Sequence, residues 1–312
     1  MTNIKKLKIG SRESKLALVQ SEWVRNKLLQ AQPDLEIEII KIKTQGDIIL
    51  DTALSKIGDK ALFTKELENK LIDETIDLAV HSMKDLPTVL PEGLEICATS
   101  EREDVRDVAC FSQQAKADGI CSLDSARTIA TSSLRRTAQL KSYFPKARFV
   151  DIRGNLQTRF KKLESKENGI DALILAAAGI KRLGEEHLID QYLDPYELLP
   201  AVGQGALAVE IKSDREDLRQ FIRSAVNDAE TEKIIHIERE FLRTLEGGCQ
   251  VPIGVYCEYQ DKEFLITGLV SNLDGSEQIV RSQKSTEHTG LGQALAQEMI
   301  ESGASDILNA IR

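Results

Sequence analysis

Hydrophobic and polar positions change period repeatedly along this chain, from strand-like alternation to helical spacing. Leu7–Ile9 predicts a short strand and Gly10-Ser11-Arg12 a turn. Leu16, Val19, Trp23, Val24 and Leu28 recur at helical spacing and predict a helix over about 14–30. Pro33-Asp34 punctuates, and Ile37, Ile39 and Ile40 predict a strand over 35–43. Thr44 to Lys60, rich in charge with scattered apolar residues, reads as a mobile surface loop or lid. A helix over about 63–74 precedes a strand over 76–81, followed by strands over 94–100 and near 107–111. Strands over 128–131, 147–152 and 171–176 alternate with helices over 133–143 and 155–166. Ala172 to Ile180, the longest apolar run, reads as a buried strand running into a small-residue turn.

Leu198 to Ala206 reads as a linker, before a strand over 206–211 and a helix over about 214–226. After Asp228 the order changes. A helix over about 229–245 leads to strands near 251–259, 263–270 and 278–284, then helices near 289–302 and 304–311. Asp261-Lys262 and Asp274-Gly275 mark turns between those strands. The front two thirds is therefore expected to be α/β.

At 312 residues the chain is too long for one small core, and two or three domains are expected. Its 41% hydrophobic and 29% charged residues are those of a globular protein. Aromatics at 4% argue against stacking platforms for nucleic acid, and a formal charge of −9 argues against a general binder of nucleic acid or acidic membranes. Clustered Arg and Lys are informative against that background. The five cysteines, Cys97, Cys110, Cys121, Cys249 and Cys257, are odd in number and form no CxxC pair. They argue against a disulfide framework and a structural zinc site, so no metal is expected. The amino terminus lacks a signal-peptide core and no apolar run approaches membrane-spanning length, which predicts a cytoplasmic protein.

Ligands of open α/β sheets sit beyond the carboxyl ends of strands. The first strand ends in Ser11-Arg12, with Ser14 just beyond. The strand over 76–81 runs into Ser82, Lys84 and Asp85. The strand over 128–131 ends in Thr131-Ser132-Ser133, then Arg135-Arg136. The next ends in Arg153-Gly154-Asn155, with Arg159 one helical turn on, and the last leads to Lys181-Arg182. Ser132 or Ser133 suits an N-cap, which puts Arg135 and Arg136 in the first turn of a helix. The helix dipole is positive there and disfavours each Arg by about 0.3–1 kcal/mol. A bound anion would offset this, and Arg grips carboxylates bidentately. The plainer reading is a solvated helix end with snorkelling side chains.

Asp85 is the one carboxylate among these cations at the end of its strand, suited to pair with an N–H or a developing cation. The alternative is a turn aspartate before Leu86-Pro87. His81 reads as structural, with no evident partner, and Gly203-Gln204-Gly205 as a hinge or a close backbone contact to a ligand.

Leu245-Glu-Gly-Gly-Cys-Gln-Val-Pro-Ile-Gly254 places Cys249 behind two glycines on a predicted tight loop. By itself this leaves a structural and a functional thiol equally open. A cysteine reaching a cationic cleft would be a covalent tether or a nucleophile.

Five motifs in order, His81-Ser-Met-Lys-Asp85, Thr131-Ser-Ser-Leu-Arg-Arg136, Arg153-Gly-Asn155, Leu199-Pro-Ala-Val-Gly-Gln-Gly-Ala206 and the Cys249 loop, resemble the hydroxymethylbilane synthase (porphobilinogen deaminase) family. The resemblance implies two α/β lobes like those of periplasmic binding proteins and a smaller α+β C-terminal domain carrying the cysteine. Their limits would be 1–100 plus 206–224, then 106–200, then 229–312. It implies a dipyrromethane cofactor held by a thioether to Cys249, and extension of that primer by four porphobilinogen units with loss of ammonia. Hydrolysis would then release hydroxymethylbilane, for porphyrin and heme biosynthesis.

The same resemblance assigns Ser82, Lys84, Asp85, Thr131, Ser133, Arg135, Arg136, Arg159 and Gln204 to the cofactor. Arg12, Ser14, Arg153, Arg159 and Arg182 would hold substrate and the growing chain. Asp85 would be catalytic, bonding pyrrole N–H groups and stabilising the cationic methylene-pyrrole formed on loss of ammonia. Lys56 and Lys60 would face the site from the lid, and the protein would be a monomer. The lid departs from the family's usual Thr-Arg-Gly-Asp and Gly-Gly-Lys-Gly, with Thr44-Gln45-Gly46-Asp47 and Gly58-Asp59-Lys60-Ala61.

Two other functions compete. A non-catalytic two-lobed carboxylate-binding protein explains the arginines but not the cysteine loop or Asp85. A cysteine-nucleophile acyl transferase would want a His near the thiol, and His81, His187, His236 and His288 form no local motif with Cys249.

Overall fold

The computed structural model describes residues 4–48, 63–165, 168–246 and 251–311. The chain divides into two compact units, one built from residues up to 103 with 205–233, the other from 104–204 with the chain from 234 on. The chain begins β1 (Lys6–Arg12), α1 (Lys15–Ala31), β2 (Glu36–Ile42), α2 (Gln45–Ile48), α3 (Lys65–Ile72), β3 (Leu78–Ser82) and β4 (Leu94–Thr99). It continues β5 (Asp107–Phe111), α4 (Gln113–Ala117), β6 (Thr128–Ala130), α5 (Leu134–Tyr143), β7 (Arg148–Val150), α6 (Leu156–Glu164), β8 (Ala172–Ala176), α7 (Ala177–Arg182) and β9 (Gln191–Tyr192). Then come β10 (Leu207–Lys212), α8 (Glu216–Val226), α9 (Ala229–Thr244), β11 (Ile253–Gln260), β12 (Glu263–Ser271), β13 (Gln278–Ser285), α10 (Leu291–Glu301) and α11 (Ala304–Asn309).

In the first unit the sheet order is β2-β1-β3-β10-β4. β1, β2 and β3 run parallel, and β10 alone runs against its neighbours. In the second unit the order is β7-β6-β8-β5-β9, with β5 antiparallel to both neighbours. The two sheets therefore share one topology, three parallel strands and one returning strand inside the fourth. A third sheet, β11-β12-β13, is antiparallel throughout. The fold is α/β in its two five-stranded sheets, as the strand–helix order predicts, and α+β at the C-terminus, as the family resemblance implies.

Alternation along the strands decides which helix each residue meets. In the first sheet Leu78, Val80, Val209 and Ile211 face α1 and α8 through Val24, Leu28 and Ile222. Ala79 faces the other way, to Leu67 and Leu71 of α3. In the second sheet Ala109, Phe111 and Ile174 join Leu140 of α5, while Val108, Cys110 and Leu173 join Leu163 of α6 and Ile180 of α7. The third core gathers Phe241 of α9, Ile266 of β12, and Leu295 and Met299 of α10. Among the described residues no helix is long and apolar enough to cross a membrane.

Within the second unit the three-stranded sheet meets α5 directly. Gly275 has φ +77°, and a Cβ there would lie 2.1 Å from the Ala138 carbonyl oxygen of α5, so only glycine fits. The Asp261-Lys262 hairpin turn is a genuine two-residue one, with φ 53° and 67°.

Four expectations need correction. β1 does not turn at Gly10; it stays paired with β2 through Arg12, because its side chains there are buried or half-buried. The apolar run after β8 is not a turn but helix α7, whose Ala177, Ala178 and Ile180 are buried. α4 and β9 were not foreseen; both are short, at five and two residues. Gly205 (φ +95°) does make a close backbone contact, but to the chain itself: a Cβ would lie 2.3 Å from the Glu103 carbonyl oxygen.

Candidate active site

Parallel strands all finish on one edge of a sheet, so the fold collects the strand-end residues by itself. In the first unit that edge carries Arg12 from β1 and Ser82, Lys84 and Asp85 from β3. Arg12 is paired: its Nη2 lies 2.5 Å from Asp47 Oδ1 and its Nε 3.3 Å from Oδ2. The Phe63 ring stacks beneath its guanidinium, with 4.3 Å to the centroid. Thr44 Oγ1 donates to Asp47 at 2.7 Å. Burial opposes the Asp47 charge, but Arg12 and Thr44 outweigh it and hold the carboxyl below its usual range. The Thr44-Gln45-Gly46-Asp47 segment thus begins by locking Arg12. Ser14 caps α1, accepting from Ala17 N at 3.3 Å.

Ser82 Oγ accepts from Gln20 Nε2 at 2.9 Å. Lys84 and Asp85 follow in a 3-10 turn over Met83–Asp85, both half-buried. That turn is fixed by its main chain, since Met83 N donates to Ala206 O at 3.0 Å and Leu86 N to Met83 O at 3.2 Å. His81, one residue earlier, has a partner after all: its Nε2 lies 3.0 Å from Glu210 Oε2 on the neighbouring β10. Both side chains are buried on the α3 face. This accords with a structural role for His81 and corrects the expectation that it stands alone.

In the second unit the corresponding edge carries the ends of β6, β7 and β8. Thr131 Oγ1 accepts from Ser133 N at 3.3 Å, and Ser133 Oγ caps α5 by accepting from Arg136 N at 3.4 Å. Arg135 and Arg136 stand in the first turn, as expected, but they are not a solvated helix end. They are 5% and 6% exposed. Between them lies Asp107, fully buried. Its Oδ2 accepts from Arg135 Nη1 and its Oδ1 from Arg136 Nη2, each at 2.7 Å. Gln204 Nε2 donates to the same Oδ1 at 2.9 Å and to Val105 O at 2.7 Å. Arg135 Nη1 also donates to Leu199 O at 2.6 Å, and Arg136 Nη1 to Ile174 O at 3.1 Å.

Two guanidiniums and one carboxylate leave this buried cluster with one excess positive charge. Arg135 Nε and Arg136 Nε find no hydrogen-bond partner among the described residues. Arg153, also buried, has the same condition at Nη1. Arg159 donates from Nε to Gly154 O at 2.9 Å, and Arg182 closes α7 half-buried. Lys56, Lys60 and Cys249 lie outside the described residues.

Asp47 and Asp107, which the strand-end pattern does not single out, also stand beside these cations, so Asp85 is not the one carboxylate there. The reason for Asp107 is directional. β5 runs against its sheet, and Asp107 pairs with Ala176 at the end of β8. A returning strand brings its first residue to the site edge, not its last. Asp107 also shares the α5 face of β5 with Ala109 and Phe111, within reach of both arginines.

Burial opposes the Asp107 charge, yet Arg135 and Arg136 outweigh it and hold the carboxyl well below the usual carboxylate range. Breaking such a buried pair generally costs about 3–5 kcal/mol. A folded-state value below the unfolded value near 3.9 means the contribution is complete above that value and fades as pH falls through the acid range. Asp107→Asn should therefore lower the thermal midpoint at neutral pH and flatten its fall below about pH 4. Calorimetry across that range checks this; a variant midpoint falling with acid as steeply as the parent's would contradict it.

Residues 7–220 match the family model described as porphobilinogen deaminase, dipyromethane cofactor binding domain. Residues 233–301 match its C-terminal domain. The chain belongs to the porphobilinogen deaminase family. Its relatives include the porphobilinogen deaminase of Desulfitobacterium hafniense, 48% identical over 98% of this chain and 97% of that protein. Those of Nostoc sp. and Gloeobacter violaceus are also 48% identical, over 98% and 97% of this chain and 94% and 93% of theirs.

Proposed function

We propose that this chain is a hydroxymethylbilane synthase. It joins four porphobilinogen units head to tail, with loss of one ammonia each, and releases the linear tetrapyrrole by hydrolysis. Family membership over nearly the whole chain supports the activity. The structural observation that carries the reading is the excess positive charge of the Asp107–Arg135–Arg136 cluster at the carboxyl edge of its sheet. Each pyrrole unit brings an acetate and a propionate, so the substrate chain gathers carboxylates as it grows.

Dipyrromethane, when bound, supplies the pyrrole primer to which the units are joined. The donors fit it: buried arginine N–H groups without partners suit an oxyanion such as its carboxylates. Arg135, Arg136, Lys84, Ser82, Thr131, Ser133 and Gln204 are assigned to that group, with Cys249 as its anchor. Arg12, Ser14, Arg153 and Arg182 are assigned to substrate and the growing chain, with Arg159 shared between the two. Asp85 accepts pyrrole N–H groups, stabilises positive charge developing on the substrate as ammonia departs, and moves the proton. Lys56 and Lys60 belong to the lid segment. The two five-stranded sheets and the α+β C-terminus make three domains, and the protein works as a cytoplasmic monomer.

Incubation of purified protein with porphobilinogen tests this. Ammonia and a linear tetrapyrrole should appear in a ratio of four to one. Binding of porphobilinogen without release of ammonia would favour a carboxylate-binding protein instead.

A further inference from the structure

We infer that Asp107 is a positioning residue for cofactor loading: it holds Arg135 and Arg136 by their Nη atoms in one fixed arrangement that accepts a single carboxylate. The inference rests on the reading that those two arginines grip the cofactor.

The cluster is over-determined on the side facing the protein. Asp107 takes one Nη from each arginine at 2.7 Å. Leu199 O and Ile174 O take further N–H groups at 2.6 and 3.1 Å. Gln204 fastens Asp107 Oδ1 to the main chain at Val105. Gln139 Nε2 adds a second donor to Leu199 O, at 3.1 Å, and Gln139 Oε1 accepts from Leu199 N at 2.8 Å. Every long side chain in the group is therefore tied at its far end, and a guanidinium held in this way loses little freedom on binding.

The cluster is incomplete in two respects. One positive charge is unbalanced, and the Nε–H of each arginine has no partner among the described residues. One carboxylate would balance the charge. Without Asp107 two adjacent buried guanidiniums would repel, and each would keep only its one main-chain acceptor, Leu199 O or Ile174 O. Charge balance alone would be satisfied by any carboxylate at this place. Positioning needs this one, because a longer side chain would move its oxygens by about 1.5 Å, the length of one carbon–carbon bond.

The experiment uses intact-mass spectrometry of the full chain, produced in cells that make no porphobilinogen so that it is purified without adduct, then incubated with porphobilinogen and sampled over time to read the fraction that carries the adduct. Asp107→Asn, Asp107→Glu, Arg135→Ala, Arg136→Ala and Asp107→Asn/Arg135→Ala are compared, each with its thermal midpoint and near-ultraviolet dichroism. Asp107→Asn should slow loading at least tenfold. The double variant should load no more slowly than Arg135→Ala alone, the non-additivity expected of residues acting through one another. Asp107→Glu keeps the buried charge and should stay folded while loading slowly; it carries the test if Asp107→Asn does not fold. Loading by Asp107→Glu at the parent rate would overturn the inference, since charge balance would then suffice. Parent-like loading by Arg135→Ala and Arg136→Ala would instead overturn the reading on which it rests.

Discussion

Asp85→Asn should give a folded protein that binds porphobilinogen and turns it over about 10²–10⁴-fold more slowly, the usual worth of a positioned acid or base. The structure explains why folding survives. The Met83–Asp85 turn is held by main-chain bonds to Ala206 O and Met83 O, not by the carboxylate. Asparagine matches aspartate in shape and keeps an acceptor oxygen for a pyrrole N–H. It loses the negative charge that opposes a developing cation and the ability to take a proton. Binding, proposed to rest on arginines of other strands, should change little. Calorimetric binding of porphobilinogen beside a turnover assay separates the two quantities; near-parent turnover would remove Asp85 from its role.

Cys249→Ala should be folded and inactive, with turnover at background. The described cysteines argue for this by elimination. Burial, aided by nearby acids at Glu95 and Asp190, pushes the Cys97 and Cys110 thiols up to about 12, so neither supplies thiolate at neutral pH. Cys257 is buried in the C-terminal core. Cys121 is exposed, but the chain there leads into the start of β6, the edge of the sheet opposite to Arg135 and Arg136. Peptide mapping of the parent protein should place the adduct on the peptide containing Cys249. Activity retained in Cys249→Ala, or an adduct on Cys121, would contradict the assignment.

Much of this was legible in the residue order, and what was missed has physical causes. The strands and long helices declared themselves through periodicity, and the β5 span 107–111 through the apolar run Val108–Phe111. Ala172–Ile180 misled because a run of small apolar residues suits a strand, a turn or a helix alike; only burial of α7 against its sheet decides it. The strand-end arginines were found because net negative composition makes local cations conspicuous. Asp107 was not, since it sits 28 residues from Arg135 in a stretch already rich in acids. Its significance comes from the antiparallel direction of β5, and direction is a property of the sheet, not of the strand. Glu210, the partner of His81, was hidden for the same reason, on the returning strand β10.

The central claim is that this chain carries a pyrrole primer fixed to Cys249 and uses it for synthesis. Intact-mass spectrometry of the purified parent protein tests that most directly. The expected result is a mass above that of the polypeptide by one dipyrromethane, with colour on acidic dimethylaminobenzaldehyde, and neither in Cys249→Ala. A folded parent protein at the bare polypeptide mass, colourless and unchanged after incubation with porphobilinogen, would contradict it.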